Sequence, residues 1–291
     1  MNPRHPPPCL SAPSTDLSHS DPQTWSDIFI TTIDTVPVEC IRPSDTDRPT
    51  WCLYTPGSCQ PEDYLGTLHA RDTDGLWHVQ ATDERHASFA DAVRTLRRPP
   101  TWPRERAHAT WWARRLLADP TLLIIDIQTT GLTNPFAAQI AAVDGSGTLI
   151  LNELLNPQAG FEPEASALHG LTEESTCNAA TFNDLLPVLA ELFHGCHLVA
   201  YSTFDHAVIV RELHRRLSDP VRVRAWLNSS HWHDAIPPIS TWTGLWSTRY
   251  HAYRHVKLGG HYEAVANCHL LLRRLQQLAN HRTETCPDAP P

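Results

Sequence analysis

Two aspartates stand where an α/β protein collects ligands. Asp126 ends the short apolar run TLLIID, and Asp205 follows the run CHLVAYS at the start of an amphipathic segment. Short continuous apolar runs are typical of buried strands, and ligands gather beyond the carboxyl ends of such strands. Two carboxylates with nearby oxygen donors suit a hard divalent cation such as Mg²⁺. Taken alone, Asp205 is equally well explained as a helix cap, and both interpretations stay open.

The elements that would position these aspartates follow from the hydrophobic pattern after residue 120. Four apolar segments predict strands: TLLIID, AAQIAAVDG, GTLILNELLNP and CHLVAYS. Three amphipathic segments predict helices: AATFNDLLPVLAELFHG, DHAVIVRELHRRL and VANCHLLLRRLQQLAN. A long irregular stretch is expected between the last two helices. Strands that lead into helices in this order predict an α/β sheet flanked by helices.

The N-terminal part of the chain predicts a separate small α+β domain of unknown role, residues 27–98. Its segments IFITTIDTV, TWCLY, YLGTLHA and GLWHVQA are rich in β-branched and aromatic residues, which favours a three- or four-stranded antiparallel sheet. One helix follows, with Phe89, Ala92, Val93 and Leu96 on a common face. Residues 1–26 and 281–291 are rich in proline and polar residues and are predicted to be disordered tails.

Residues 99–119 predict a helix that connects this domain to an α/β domain spanning residues 120–280. Pro103 suits the first turn of that helix. Its tryptophans and leucines are expected to pack inward and its arginines to face outward: Trp111, Trp112, Leu116 and Leu117 against Arg104, Arg106, Arg114 and Arg115. The arginines fit a simple solvated face, and they also fit a stripe that tracks phosphates.

Composition limits the possible partners. The chain carries 23 basic and 32 acidic residues, a net charge of −9, so it does not resemble a protein that binds DNA through bulk charge. The eight cysteines form no CxxC pair, which favours reduced thiols in a cytoplasmic protein. No apolar run approaches the roughly 18 residues that cross a bilayer, so no membrane partner is expected.

Four sequence motifs resemble those of the DnaQ-like (DEDDh) 3′–5′ exonucleases. LIIDIQTTGL is similar to the family's first motif, D-x-E-T-T-G, and VAYSTFD is similar to its second, A-H/Y-N-x-x-F-D. PEASALHGLTEE resembles P-x-A-x-x-I-H-G-I-T-x-E, and GGHYEAVANCHLLLRRL resembles the third motif, H-x-A-V-x-D-C followed by a helix. Together they span about 160 residues in the family's order, and this combination is far more specific than any one motif.

The resemblance implies a ribonuclease H-like exonuclease fold, a mixed five-stranded sheet flanked by helices. It also implies that four carboxylates hold two Mg²⁺ or Mn²⁺ ions while a histidine serves as general base in attack on the 3′-terminal phosphodiester. The implied partner is the 3′ end of single-stranded DNA or RNA. Residues carried over as substrate-binding are Thr129, Thr130, Gly131, His169 and Phe204.

The catalytic positions depart from the family pattern. The family's glutamate is Gln128, its last aspartate is Asn267, and its general-base histidine aligns with Tyr262. Asp126 and Asp205 remain as the candidate metal ligands. A free phenol, with a pKa of about 10, is a poor base at neutral pH, and the adjacent His261 is the alternative base.

The loss of two ligand charges weakens metal binding. Two unit charges about 4 Å apart interact by about 4 kcal/mol at an effective dielectric constant near 20. A third of that energy, about 1.4 kcal/mol, is tenfold in affinity. Weak or partial occupancy by Mg²⁺ or Mn²⁺ is therefore expected, and the loss of a general base alone removes about 10²–10⁴-fold in rate.

Three functions fit these observations. The favoured hypothesis is an exonuclease-family protein that binds nucleic-acid 3′ ends and has impaired or lost hydrolysis. An active Mg²⁺- or Mn²⁺-dependent 3′–5′ exonuclease is the first alternative. The second is a protein-interaction scaffold, in which the N-terminal domain binds a protein partner.

Overall fold

The computed structural model describes residues 21–280 except for 47, 58–62, 71–73, 82 and 260–261. Residues 1–20 of the predicted N-terminal tail, the predicted C-terminal tail and His261 lie outside the described residues. The end of the N-terminal tail was predicted wrongly, because Pro22–Thr24 form a 3-10 helix and Trp25 is buried in a hydrophobic core. The chain divides into two compact units. The first comprises the residues up to Trp102 together with Thr243–Arg254, and the second comprises Pro103–Trp242 and the residues from His255 onward.

The first unit contains a six-stranded antiparallel sheet whose strands follow one another in chain order. Its strands are β1 (Ile28–Ile33), β2 (Val36–Ile41), β3 (Thr50–Tyr54), β4 (Tyr64–Ala70), β5 (Trp77–Val79) and β6 (Glu84–His86). The predicted count of three or four strands is wrong. IFITTIDTV is a hairpin rather than one strand, because Asp34 and Thr35 both adopt positive φ and form its two-residue turn.

The predicted helix of the first unit is confirmed as α1 (Phe89–Thr95). Ser88 caps it by accepting a hydrogen bond from the backbone N–H of Asp91. The four residues predicted to share a face are all buried, in one cluster with three tryptophans: Phe89, Ala92, Val93, Leu96, Trp25, Trp51 and Trp77. Burial of these large aromatic side chains is the main source of stability available to this small unit.

The second unit is built on a mixed sheet with the strand order β10-β9-β8-β7-β11-β12. Its strands are β7 (Leu122–Thr129), β8 (Ala137–Asp144), β9 (Leu149–Asn156), β10 (Ala180–Thr181), β11 (His197–Ala200) and β12 (His231–Asp234). β7, β8 and β9 are antiparallel, whereas β11 and β12 run parallel to β7. The predicted α/β fold is confirmed, and the two-residue β10 makes the sheet six-stranded rather than five-stranded.

Helices cover both faces of this sheet. They are α2 (Trp102–Leu117), α3 (Pro163–His169), α4 (Glu173–Thr176), α5 (Phe182–Phe193), α6 (Thr203–Arg216), α7 (Pro220–Leu227), α8 (Ile236–Thr243) and α9 (Ala264–Ala279). Residues of α5 and α6 pack on one face of the sheet, and residues of α2 and α9 pack on the other. The strands are therefore buried on both sides, which explains why their sequences are continuous apolar runs.

The prediction of a long irregular stretch before the last helix is wrong. That stretch contains α7, β12 and α8, followed by a small hairpin in the first unit, β13 (Trp246–Ser247) and β14 (Ala252–Tyr253). Prolines obscured the helices, because Pro220 and the prolines of IPP lie in first turns, where a missing N–H costs nothing. In the part of the chain that the structure describes, no helix combines the length and apolarity needed to cross a membrane.

Helix α2 forms as predicted, but its faces differ from the prediction. Arg106 is buried, with its guanidinium 4.8 Å from the ring centroid of Trp242, and Trp111 is 41% exposed. The arginines of α2 therefore do not form one continuous outward stripe.

Candidate active site

Asp126 lies inside β7 rather than at its end. The strand continues to Thr129 because β8 pairs with it throughout, including Asp126 with Ala141 and Gln128 with Gln139. The predicted position of Asp126 at the carboxyl end of the strand is therefore wrong by three residues. The carboxylate of Asp126 still lies close enough to Asp205 for its negative charge to raise the pKa of Asp205.

Asp205 is not the cap of its helix. Ser202 caps α6 by accepting a hydrogen bond from the backbone N–H of Phe204, so the interpretation of Asp205 as a cap is wrong. Instead, Asp205 is 6% exposed, and its Oδ1 accepts a hydrogen bond of 2.9 Å from the backbone N–H of Ile127. This bond connects the start of α6 to β7 and brings the two aspartates close together.

Gln128 and Asn267 both donate hydrogen bonds to Asp126. The Nε2 of Gln128 lies 2.6 Å from Oδ2 of Asp126, and the Nδ2 of Asn267 lies 3.3 Å from the same oxygen. The two residues that replace the family's carboxylates therefore point N–H groups at the oxygen where a cation would bind. Asp126, Gln128, Asp205 and Asn267 thus lie together, although β7, α6 and α9 contribute them separately.

Asp205 is buried and Asp126 is partly buried, without a neutralising cationic side chain in this hydrogen-bonded group. Burial raises the pKa of Asp126 to about 6, and the amide hydrogen bonds from Asn267 and Gln128 only partly offset this effect. Burial and the charge of Asp126 raise the pKa of Asp205 well above its ordinary value. A close carboxylate pair in a low-dielectric site resists double ionisation, and a cation would relieve it.

Glu263 adds a further negative charge that the sequence comparison passed over. Its carboxylate caps α9 by accepting hydrogen bonds from the backbone N–H groups of Val265 and Ala266. Its charge also raises the pKa of Asp126. An acidic residue directly before an amphipathic helix is the signal that could have revealed this cap.

The segment Thr129–Gly131 forms a hydrogen-bonded turn at the end of β7. Thr129 Oγ1 donates to the carbonyl of Gly131, and Thr130 Oγ1 accepts from the backbone N–H of Phe136. His169 fixes the start of the turn: its Nδ1 accepts from the N–H of Leu171, so its Nε2 carries the hydrogen that is donated to the carbonyl of Thr129. Four of the five predicted substrate-binding residues therefore belong to one connected group.

Glu162 packs against this turn, a contact that was not predicted from the sequence. Its carboxylate oxygens accept hydrogen bonds from the backbone N–H groups of Leu132 and Thr133, at 3.0 and 2.9 Å. A Cβ atom on Gly131 would lie 2.1 Å from Cδ of Glu162. Gly131 is therefore required by the close approach of Glu162, a contact between residues 31 positions apart that no local pattern reveals.

Two other predicted residues lie apart from this group. Phe204 is partly buried against the hydrophobic core beneath α5 and α6. The ring of Tyr262 is 56% exposed, two residues before α9 begins.

Replacement of Gly131 by alanine is expected to lower the free energy of unfolding by about 1–2 kcal/mol. The new methyl group must displace Glu162, which leaves two backbone N–H groups without their acceptor. Thermal denaturation measures the loss, and Gly145→Ala is the matched control, since its nearest neighbour would be at 3.5 Å. In the Glu162→Ala background the Gly131→Ala loss should shrink; an unchanged loss would show that the two residues are not coupled.

Comparison with known proteins identifies the class of this unit. Residues 123–236 match the exonuclease family RNase T. This part of the second unit is therefore similar to exonuclease domains of the DnaQ-like, ribonuclease H-like class, and the predicted family resemblance is confirmed.

Two curated relatives are exonucleases by name. An uncharacterised exonuclease of Escherichia phage 186 is 34% identical over 91 residues, which is 31% of this chain and 46% of the relative. A putative bifunctional exonuclease/endonuclease protein of Mycobacterium tuberculosis is 34% identical over 101 residues, 31% of this chain and 16% of the relative. The match thus spans less than half the length of either relative.

Solved nuclease structures are similar to about half of the chain. Exonuclease X in complex with 5′-overhanging duplex DNA is 21% identical and covers 55% of this chain and 91% of its own, with a TM-score of 0.37. A 3′-exonuclease described in 3′-end-specific recognition of a histone mRNA stem-loop is 12% identical and covers 55% of this chain and 63% of its own, also with a TM-score of 0.37.

Exonuclease domains of this family typically use divalent metals, and the donor set of this chain fits that chemistry only in part. The charged ligands available are Asp126 and Asp205. Among the described residues, no group of three or more histidine, cysteine, aspartate or glutamate side chains is arranged to hold a metal ion. The pair suits one weakly held hard cation and does not suit the two closely spaced ions of the two-metal mechanism.

Proposed function

We propose that the exonuclease domain of this chain binds the 3′ end of single-stranded DNA or RNA and has lost most or all of its two-metal phosphodiester hydrolysis. The observation that carries the proposal is the pair of amide N–H groups from Gln128 and Asn267 on Oδ2 of Asp126. Carboxylates at these two positions would instead present lone pairs to a cation.

The amides oppose metal binding in two ways. Their hydrogen bonds occupy the lone pairs of the Asp126 oxygen that faces them, and both bonds must break before Gln128 and Asn267 can turn their carbonyl oxygens toward a cation. Even then a carbonyl supplies no net charge. We therefore propose that Mg²⁺ or Mn²⁺ binds weakly, at one position, through Asp126 and Asp205.

The chemistry that remains is limited. Bound divalent ions supply water activation and stabilise the leaving 3′ oxygen in the two-metal mechanism. In this chain Tyr262 stands at the aligned position of the general base, so the histidine of the family pattern is absent there. Asp126 and Asp205 can still accept protons or bind one cation. One cation does not supply both the activation of water and the stabilisation of the leaving 3′ oxygen.

Support for 3′-end binding comes from the turn at Thr129–Gly131. His169 and Glu162 hold this turn from two sides, through bonds that do not involve the amide substitutions. Glu162 fills the space beside Gly131, so the turn is held in one conformation whatever residues stand at positions 128 and 267. The binding elements can therefore persist although the carboxylate set has changed.

Competition between oligonucleotides tests this proposal. We expect a short single-stranded oligonucleotide with a 3′ hydroxyl to bind in EDTA, and the same oligonucleotide with a 3′ phosphate to bind at least about tenfold more weakly, because the terminal group must fit beside two carboxylates. Fluorescence anisotropy with a 5′ label measures both affinities. Gly131→Ala should weaken binding, and Gly145→Ala should not. No measurable binding, or equal affinity for the two ends, would contradict the proposal.

A further inference from the structure

Helix α6 carries three arginines on the side that faces the turn at the end of β7. Arg211 Nη1 donates to Oδ1 of Asn134, at 3.1 Å. Arg215 donates to the carbonyl oxygens of Pro157 and Gln158, and Arg216 donates to Oε1 of Gln158, at 2.7 Å. All three therefore contact the loops that precede β8 or follow β9.

These loops lie at the same edge of the sheet as the proposed 3′-end site. β8 begins at Ala137, paired with Thr129 of β7, so the loop that contains Asn134 directly continues the turn at Thr129–Gly131. β9 ends beside the start of β8. Helix α6 itself starts at the site, because Asp205 is in its first turn. At about 1.5 Å per residue, Arg211 and Arg215 lie about 9 and 15 Å further along the helix axis.

The positive charge of these arginines is compensated only in part, by Glu212 for all three and by Asp184 for Arg216. Their hydrogen-bond acceptors are carbonyl and amide oxygens, which carry no net charge, and Arg215 also lies over the ring of Phe136, with Cζ 4.3 Å from its centroid. Within the described part of the chain, no carboxylate forms an ion pair with any of the three. Glu212 is buried between them and offsets part of their field, but its carboxylate is directed to the backbone N–H of Ala137.

The neutral contacts also fix the guanidinium groups in place. An arginine that is already held by two carbonyl oxygens loses little freedom when it binds an anion, and its planar group suits phosphate oxygens. Helix α6 thus offers an ordered positive row that leads away from the carboxylate pocket. In a chain with a net charge of −9, such a row is a local exception.

We propose that Arg211, Arg215 and Arg216 bind the phosphate backbone of the strand a few nucleotides upstream of its 3′ terminus. The partner is a single-stranded nucleic acid, and the inference rests on the proposed 3′-end binding. The site at Thr129–Gly131 holds the terminal nucleotide, and the arginine row adds affinity only for strands long enough to reach it.

The test measures binding of 5′-labelled oligothymidylates with 3′ hydroxyls, about 3 and about 12 nucleotides long, over a range of salt concentrations in EDTA. For the longer strand, Arg211→Gln combined with Arg215→Gln should lower the slope of log affinity against log salt by about 1.4, since each neutralised phosphate on a single strand contributes about 0.7. Affinity for the shorter strand should not change. The matched control replaces Arg115 and Arg273, on the helices that cover the other face of the sheet, and should leave the slope unchanged.

A second variant separates charge from structure. Arg211→Lys with Arg215→Lys keeps both charges but loses the guanidinium hydrogen bonds to the loops, so it should retain the salt slope even if it melts at a lower temperature. The inference would be overturned if the native chain and the glutamine variant had equal salt slopes and equal length dependence. If the glutamine variant then differed only in a lower melting temperature, the arginines would serve only to connect α6 to the loops. Failure of even the native chain to bind the shorter strand would overturn the proposed function instead.

Discussion

The variant that combines Gln128→Glu, Tyr262→His and Asn267→Asp is expected to release nucleotides from a 3′-labelled oligonucleotide in Mn²⁺ at least about 10²-fold faster than the native chain. The physical reason is that both amide N–H donors on Asp126 become carboxylate ligands, and the aligned base position regains a group that titrates near neutral pH. A general base alone contributes about 10²–10⁴-fold. Single-turnover release, with enzyme in excess, measures the chemical step.

The control for this prediction adds Asp126→Ala to the triple variant, which should abolish the release. Circular dichroism must show that the triple variant folds, because it places two more carboxylates beside Asp126, Asp205 and Glu263. A folded triple variant that binds the oligonucleotide but releases nothing would show that more than these three positions separates the chain from an active enzyme.

Replacement of Asp126 by asparagine is expected to stabilise the second unit by about 2–3 kcal/mol at pH 7. The pKa of Asp126 is raised from 3.8 to about 6, and one pKa unit corresponds to about 1.4 kcal/mol. Asparagine removes the buried charge, and its carbonyl oxygen can still accept hydrogens from Gln128 and Asn267. Urea denaturation at several pH values measures the effect.

The sign of the pH dependence follows from linkage. A carboxyl group with a raised pKa in the folded state binds more protons there than in the unfolded chain, so it stabilises the fold below pH 3.8, and this stability is lost as the pH rises through about 6. The advantage of Asp126→Asn should therefore be large at pH 7 and should nearly vanish below about pH 3.5.

Asp144→Asn is the matched control in the same sheet, with the opposite sign. Hydrogen bonds from Ser146 and from backbone N–H groups lower the pKa of Asp144, so its charge stabilises the fold above pH 3.8. Its replacement should destabilise the chain at pH 7. An Asp126→Asn variant that is no more stable than the native chain at pH 7 would show that the aspartate pair is not strained by burial.

Much of the fold could be predicted from the sequence because its strands are buried on both faces. The runs that became β7 and β11 are continuous and apolar, and α1 has a regular apolar face. Elements with short or irregular hydrophobic patterns could not be predicted from the sequence. The hairpin at Asp34–Thr35 depends on positive φ at two residues other than glycine, and α7 begins at a proline.

The members of the candidate site could also be named from the sequence, but their mutual contacts could not. Gln128 and Asn267 stand at motif positions, whereas the direction of their amides depends on the partly buried Asp126 in β7. The contact of Glu162 with Gly131 and with the N–H groups after it joins residues about 30 positions apart. Long-range hydrogen bonds of this kind leave no periodic pattern in a single sequence.

The most direct test of the central claim is nucleotide release by the native chain itself. A 3′-labelled oligonucleotide is bound to saturation, as shown by anisotropy, and Mn²⁺ is added to the native chain and to Asp126→Ala in parallel. The account predicts that the native chain holds the strand and releases no more nucleotide than the alanine variant. Release by the native chain that disappears in Asp126→Ala would contradict it and would show a working exonuclease despite the two amides.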